Sequence, residues 1–372
     1  ASVGGSQETI GRAEYDWTML GGEWQLAAEA AFNGFDRLAS LFDLSPDGVF
    51  VPVPFEGAEA RVSEDRYEAL LSFSRPLTPN LSLQVVGGAE KSTLVQSGVA
   101  ANERTFVRPK GSANLGWRPG DGWDLSLKVE RAVGQLSFNE FLARPFLDDD
   151  NANAGNNELV PPQVWNTDLQ AKKDLGAWGS ATLRLYDRQI EDLVQVVPLA
   201  GGGESPGNIA SAWRRGLQFD ATMRFDPVGF KGARLDFNAN LQNSSFEDPV
   251  TLVPGPLSSI RYRQLSADFR HDIPASDWAW GTELFHNAYS PALRPSEQTS
   301  NNEGPLFLNA FVENKDVAGL TVNLGVTNLL DAQARYRRAV FVDGRDRSPI
   351  AFTERGDLTF GRIIRLKLEG NF

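Results

Sequence analysis

The sequence predicts an all-β protein, a transmembrane antiparallel β-barrel of the outer-membrane type with about fifteen strands in this chain. Three observations predict it: two-residue alternation along almost the whole chain, strict sorting of short and long connections, and tryptophans gathered near the turns. In a strand, successive side chains point to opposite faces, so alternation gives one apolar and one polar face. Trp165, Thr167, Leu169 and Ala171 alternate with Asn166, Asp168, Gln170 and Lys172. Leu217, Phe219, Ala221, Met223 and Phe225 alternate with Gln218, Asp220, Thr222 and Arg224. Leu235, Phe237, Ala239 and Leu241 alternate with Arg234, Asp236, Asn238 and Asn240, and Leu320, Val322, Leu324 and Val326 with Thr321, Asn323 and Thr327. No segment carries a comparable helical period.

Tight-turn signals fall at 20–23, 76–80, 118–122, 175–179, 227–232, 274–277 and 316–319. Long polar stretches separate them, at 43–65, 97–104, 143–163, 199–212, 243–259, 289–304 and 332–349. This yields seven hairpins and one last strand. Short connections on one side and long ones on the other are the habit of bacterial outer-membrane barrels. Trp17, Trp24, Trp117, Trp123, Trp178, Trp278 and Trp280 lie beside tight turns, and Trp165 and Trp213 beside long loops, with none expected in mid-strand. Indole favours the membrane–water boundary, so these read as an aromatic girdle rather than core filler.

The chain ends "RIIRLKLEGNF". Ile364, Leu366, Leu368 and Phe372 share one face and are expected to meet lipid, as a closing strand and assembly signal. Arg365, Lys367, Glu369 and Asn371 share the other and are expected to face a watery lumen, with Asp236, Asn238 and Asn240. A strand closing against another leaves no open edge in lipid.

Composition narrows the function. The 372 residues carry 36 Lys+Arg and 48 Asp+Glu, a formal charge of −12, which argues against nucleic-acid binding. There is no cysteine, and only His271 and His286 offer imidazole, too few for an ordinary zinc site. No cofactor is expected. Mean hydropathy is −0.31, and no apolar run approaches the ~18 residues of a transmembrane helix. The run Asp148–Asp150 offers oxygen ligands for Ca²⁺, but lacks the spacing and glycine of a calcium loop. "GGG" at 201–203 lacks the lysine of a phosphate loop. His271 and Asp272 have no nucleophile-elbow serine, so an enzyme is not expected. Arg335, Arg337, Arg338, Arg345 and Arg347 are candidates to contact an anionic extracellular ligand or lipopolysaccharide phosphates.

Four stretches resemble the TonB-dependent receptors, active importers of the bacterial outer membrane. "GVTNLLDAQARY", with Gly325, Asn328, Leu329, Asp331 and Tyr336, resembles the family's penultimate-strand segment, with Leu330 in place of the usual Phe. Gly361 and Arg362 resemble the Gly-Arg that opens its last strand. "GNNELVPPQVWNTDLQAKKDLG" (155–176) is similar to a loop leading into a strand, with Asn157 and Gln163 departing from the usual Pro and Glu. "NIASAWRRGLQFDATMRF" (208–225) is similar to the start of the next, with Gln218 in place of Glu. The resemblance implies import of a scarce nutrient (siderophore, cobalamin, oligosaccharide or peptide) through a twenty-two-strand barrel, driven by the TonB energy transducer acting on a plug domain. It also implies that 1–372 is the C-terminal part of such a barrel, with the plug and first strands on an N-terminal fragment or chain. The odd strand count and a first strand that starts on the long-loop side fit that expectation. The competing readings are a passive porin-like channel, marked by a constriction loop folded inward, and an outer-membrane phospholipase, which needs a Ser–His pair.

Overall fold

The computed structural model describes residues 2–53, 59–97, 101–141, 144–146, 151–153, 155–200, 203–301 and 305–370. Fifteen long strands carry the fold: β1 (Ser2–Met19), β2 (Gly22–Ala39), β3 (Glu59–Thr78), β4 (Leu81–Ser97), β5 (Asn102–Gly120), β6 (Trp123–Val133), β7 (Gln163–Asp174), β8 (Gly179–Pro198), β9 (Glu204–Arg224), β10 (Ala233–Glu247), β11 (Arg261–Asp272), β12 (Trp278–Tyr289), β13 (Leu306–Val317), β14 (Leu320–Thr327) and β15 (Ile363–Glu369). They belong to one sheet. The tight turns lie where the sequence puts them. Leu20–Gly21, Asp121–Gly122 and Ala318–Gly319 each hold two consecutive residues at positive φ, the geometry that matches the right-handed twist of a two-residue hairpin.

The chain divides into two compact units, one comprising Ala1–Leu115, Lys128–Asn166 and Gln189–Ala212, the other Gly116–Leu127, Thr167–Arg188 and Trp213–Phe372. In the first, β1 pairs antiparallel with β2 along its whole length, β2 with β3, and β3 with β4. Trp17 lies opposite Trp24, and Trp24 opposite Phe73; the rings pack at 6.0 and 4.7 Å just above the 20–21 turn. In the second unit, β10 to β15 pair in chain order.

Register decides the faces. Directly opposite residues of an antiparallel pair point to the same side. Leu235, Phe269, Thr282, Ala310, Val326 and Ile364 form one row across six strands. Asp272, Ala279, Glu313, Asn323 and Lys367 form a row on the other side. The expected alternation therefore holds along the first row from β10 to β15 and along the second from β11 to β15. Ile364, Leu366 and Leu368 stand 74%, 63% and 58% exposed. Phe372 and Asn371 lie outside the described residues. Among those residues, no helix is long and apolar enough to cross a membrane. We expect Leu324→Arg, on the apolar row, to destabilise the folded wall by about 2 kcal/mol or more, whereas Asn323→Leu next to it costs less. Urea titration in lipid vesicles measures both, and equal costs would mean that the faces are assigned wrongly.

Several connections differ from expectation. The stretch 199–212 is not a loop: β8 runs to Pro198 and β9 starts at Glu204. Likewise β4 and β5 leave only 98–101 between them. Segment 43–65 gives way to β3 at Glu59 and holds a small hairpin, Leu41–Leu44 with Phe50–Val53. The polar composition that signals a loop here belongs to strand residues, and Glu204 to Gly207 are buried within the fold. Trp213 consequently sits in the middle of β9, not beside a loop. It lies eleven positions above Arg224, and Trp165 nine above Asp174. A spanning strand needs about 9–11 residues, so both indoles remain at the far boundary of the apolar band.

Segments of the connections after β12 and β14 form strands as well. Ala292–Leu293, Glu297–Asn301, Gln333–Phe341 and Ile350–Thr359 build a separate four-stranded antiparallel sheet. The predicted loop 332–349 is thus a hairpin, and the last wall strand begins only at Ile363.

Candidate functional site

The polar face carries cross-strand charge networks. In the first unit the Arg66 guanidinium donates to Glu29 (3.2 Å), the Ser92 hydroxyl to Glu64 (2.5 Å), and Lys110 bridges Glu68 and Glu90. In the second, Arg184 and Arg188 converge on Asp168 at 2.6 and 2.8 Å. The Tyr186 hydroxyl lies 3.0 Å from both Asn240 Oδ1 and Gln242 Oε1. Arg270 reaches Glu313 at 2.6 Å, and Lys315 reaches Asp272 at 2.6 Å. An open pocket of about 450 Å³ on this face is bordered by Arg234, Arg270, Arg365 and Lys367 together with Asp236, Asp268 and Glu283. Charged side chains of both signs share its border with Phe311, Ala310 and Val326.

Above the first unit's polar network, a short helix, Phe138–Phe141, lies on the same face. Phe141 is buried with Val62 and Leu94, and Phe35, Phe106, Leu136 and Phe138 pack around them. The segment 136–141 therefore packs onto the polar face of the wall.

The family-like stretches meet in pairs. Asn328, 5% exposed and at φ +54, donates from Nδ2 to the carbonyls of Ala332 and Gly361, both at 3.0 Å. Its Oδ1 accepts from the Ala332 amide at 2.7 Å. Arg362 Nε donates to the Leu329 carbonyl at 2.9 Å. Gly325 lies opposite Phe311 and Arg365 within the wall. Asp331 takes positive φ in the turn, and Tyr336 lies opposite Gly356 in the loop hairpin. These residues tie the end of β14 to the start of β15. A second staple was not foreseen from the sequence. Asn208 Oδ1 accepts from the Val160 amide at 2.9 Å, while its Nδ2 donates to the carbonyls of Val160 and Asp192. Asn156 donates to the Pro206 carbonyl, and Arg104 to that of Leu159. The two upstream motifs are thereby pinned together, and Leu159 is fully buried beneath them.

The five arginines do not form one cluster. Arg345 is 8% exposed and bound to Asp248 at 2.8 Å. Arg338 lies between Glu297 (2.5 Å) and Glu354 (3.4 Å). The Glu297 hydrogen bond raises its pKa above the usual arginine value. Arg335, 3.8 Å from Asp357, and Arg347, 3.2 Å from Asp343, are exposed, as is Arg337. His271 and Asp272 point to opposite faces: His271 accepts from Trp280 Nε1 on the apolar side, while Asp272 pairs with Arg270 and Lys315 on the polar side. Among the described residues no metal-ligating cluster is present. Asp148–Asp150 lie outside them.

Comparison with known proteins places this geometry. No curated protein matches the chain. Among solved structures, the copper transporter OprC superposes with a TM-score of 0.71 at 13% identity, covering 100% of this chain and 57% of its own. The unliganded ferric citrate transporter FecA gives 0.68 at 11%, covering 99% and 54%. The siderophore receptor PiuA from Acinetobacter baumannii gives 0.66 at 9%, covering 99% and 56%. The chain thus spans about half the length of these structures, and at such identities the likeness shows the fold. The family model described as TonB dependent receptor-like, beta-barrel, matches residues 3–329, and the chain belongs to that family.

Proposed function

We propose that this chain forms part of the outer-membrane barrel wall of a transducer-driven importer of a scarce, polar nutrient. The observation that carries this reading is the pair of rows across the wall: a mostly apolar row from β10 to β15 and a mostly polar row from β11 to β15 on the other side. Such a two-faced antiparallel wall suits a bilayer, because neighbouring strands satisfy one another's backbone groups. The mixed charges bordering the polar-face pocket favour a polar or charged cargo, of the siderophore, cobalamin, oligosaccharide or peptide class. A plug-bearing segment and the TonB transducer are the partners that reading calls for, and catalysis has no part in it.

One observation favours a passive porin-like channel instead: the inward-folded helix at Phe138–Phe141, placed as a constriction would be. Uptake by cells carrying or lacking the whole protein separates the two. We expect saturable uptake of one labelled nutrient, lost when the transducer is deleted. Transducer-independent uptake with steady conductance across a planar bilayer would favour the channel.

A further inference from the structure

We propose that the polar face of the second unit carries a saccharide-binding subsite, a line of phenyl rings that leads into a small pocket of hydroxyls and carboxylates. The inference rests on the import reading and narrows its cargo to a neutral oligosaccharide. Register places the line. Asn238, Ser266, Phe285 and Phe307 stand directly opposite one another across β10 to β13, on the side of Asp272 and Glu313. The Phe285 and Phe307 rings stack at 4.9 Å with 12° between their planes. Phe360 lies 6.4 Å beyond Phe307 and is 49% exposed. A run of three rings on an otherwise polar face is the kind of patch that marks a ligand-binding groove. Phe311, the other ring on this side of β13, is instead covered by the Arg270 guanidinium at 5.6 Å.

Ser266 joins the line to the pocket. Its side chain is too short to cover the Phe285 ring beside it, and it borders a cavity of about 250 Å³ with Ser180, Thr182, Asp220, Asp236 and Asp268. Among the described residues no lysine or arginine borders this cavity, which disfavours an anionic cargo. Two of the carboxylates are already engaged. Asp236 pairs with Arg234 at 2.8 Å and accepts from the Thr222 hydroxyl, and Asp220 accepts from Asn238 and Gln218. The pocket therefore offers hydrogen bonds of both kinds, from hydroxyls that donate and accept and from carboxylate lone pairs that accept. Two positions along β12 from Phe285, Asn287 adds a buried Oδ1 that has no donor, on the same side and opposite Gln264. A sugar ring is complementary to this combination. Its hydroxyls donate and accept around the rim, and its weakly positive C–H faces lie against the negative faces of aromatic rings. Each such contact is modest, which suits a wall that must pass its cargo on.

The test presents the whole purified protein, in detergent, to an array of neutral glucans, mannans, xylans and galactans, and titrates the best binder by calorimetry. Saturable binding of one of these glycan classes is expected. Phe285→Leu/Phe307→Leu keeps apolar bulk but removes the stacked rings, and should bind about tenfold less tightly. Phe311→Leu, at the ring that Arg270 covers, should leave the affinity unchanged, and a semi-native gel confirms that each variant is folded. Binding of no neutral glycan overturns the proposal. So does equal affinity in the double Leu variant, or tighter binding of ferric citrate than of every neutral glycan. Uptake by cells separates this from the import reading. Transducer-dependent uptake of a ferric siderophore without glycan binding overturns the subsite and leaves import standing. Glycan binding with transducer-independent uptake supports the subsite and overturns the import reading.

Discussion

Arg345→Ala should loosen the upper loops by about 3–5 kcal/mol, because it strands a buried carboxylate. Asp248 is 6% exposed, and its partner arginine enters from a loop 97 residues away. Arg345 also donates to the Arg294 carbonyl at 2.6 Å, and its amide to Pro295. Three loops, those after β10, β12 and β14, are thus held by one side chain. Asp248 keeps the amides of Val250 and Thr251 as donors, which do not neutralise its charge. Adding Asp248→Asn to Arg345→Met should recover most of the loss, since the cost lies in the unpaired charge rather than in the missing contact. Limited proteolysis at 248–260 and 342–349, read as opening free energies, measures both. A loss below about 1 kcal/mol would mean the pair behaves as a surface ion pair.

Asn328→Ala should cost about 3 kcal/mol. It removes two donors and one acceptor, leaving backbone groups of Ala332 and Gly361 without partners at a largely buried site. It also places Ala in the left-handed region at φ +54, which Asn tolerates better. Asn328→Asp keeps the acceptor for the Ala332 amide and should fall between. The folded fraction on semi-native gels across a urea series reads the order. Wild-type behaviour of the Ala variant would show that β14 and β15 are held by their ladder alone.

How much of this was legible follows from what each signal measures. The wall strands were readable because one face meets lipid. Rows such as Leu324–Leu366 and Asn323–Lys367 demand a strict two-residue period, and Leu20–Gly21 or Ala318–Gly319 mark where it reverses. Above the apolar band that demand lapses. Glu204 to Ala212 stay in the ladder with no apolar side to announce it, so they read as loop. The loop hairpin escaped for the same reason. Its arginines were visible as residues but not as roles: the alternation of Arg337 and Arg338 separates outward from inward, whereas nothing near Arg345 points to Asp248. The Asn208 staple was hidden too, because a side chain that caps distant backbone leaves no periodic trace.

The upward continuation of β9 changes what the molecule presents to its surroundings. From Trp213, at the boundary, nine further residues rise in the ladder to Glu204, about 30 Å of strand at the usual rise. They are buttressed by the Asn156–Pro206 and Asn208–Val160 contacts. Folded strand therefore stands where the polar composition suggests a pliable loop. Antibodies raised against it should recognise a conformational epitope, binding the native protein and losing it on a denaturing blot.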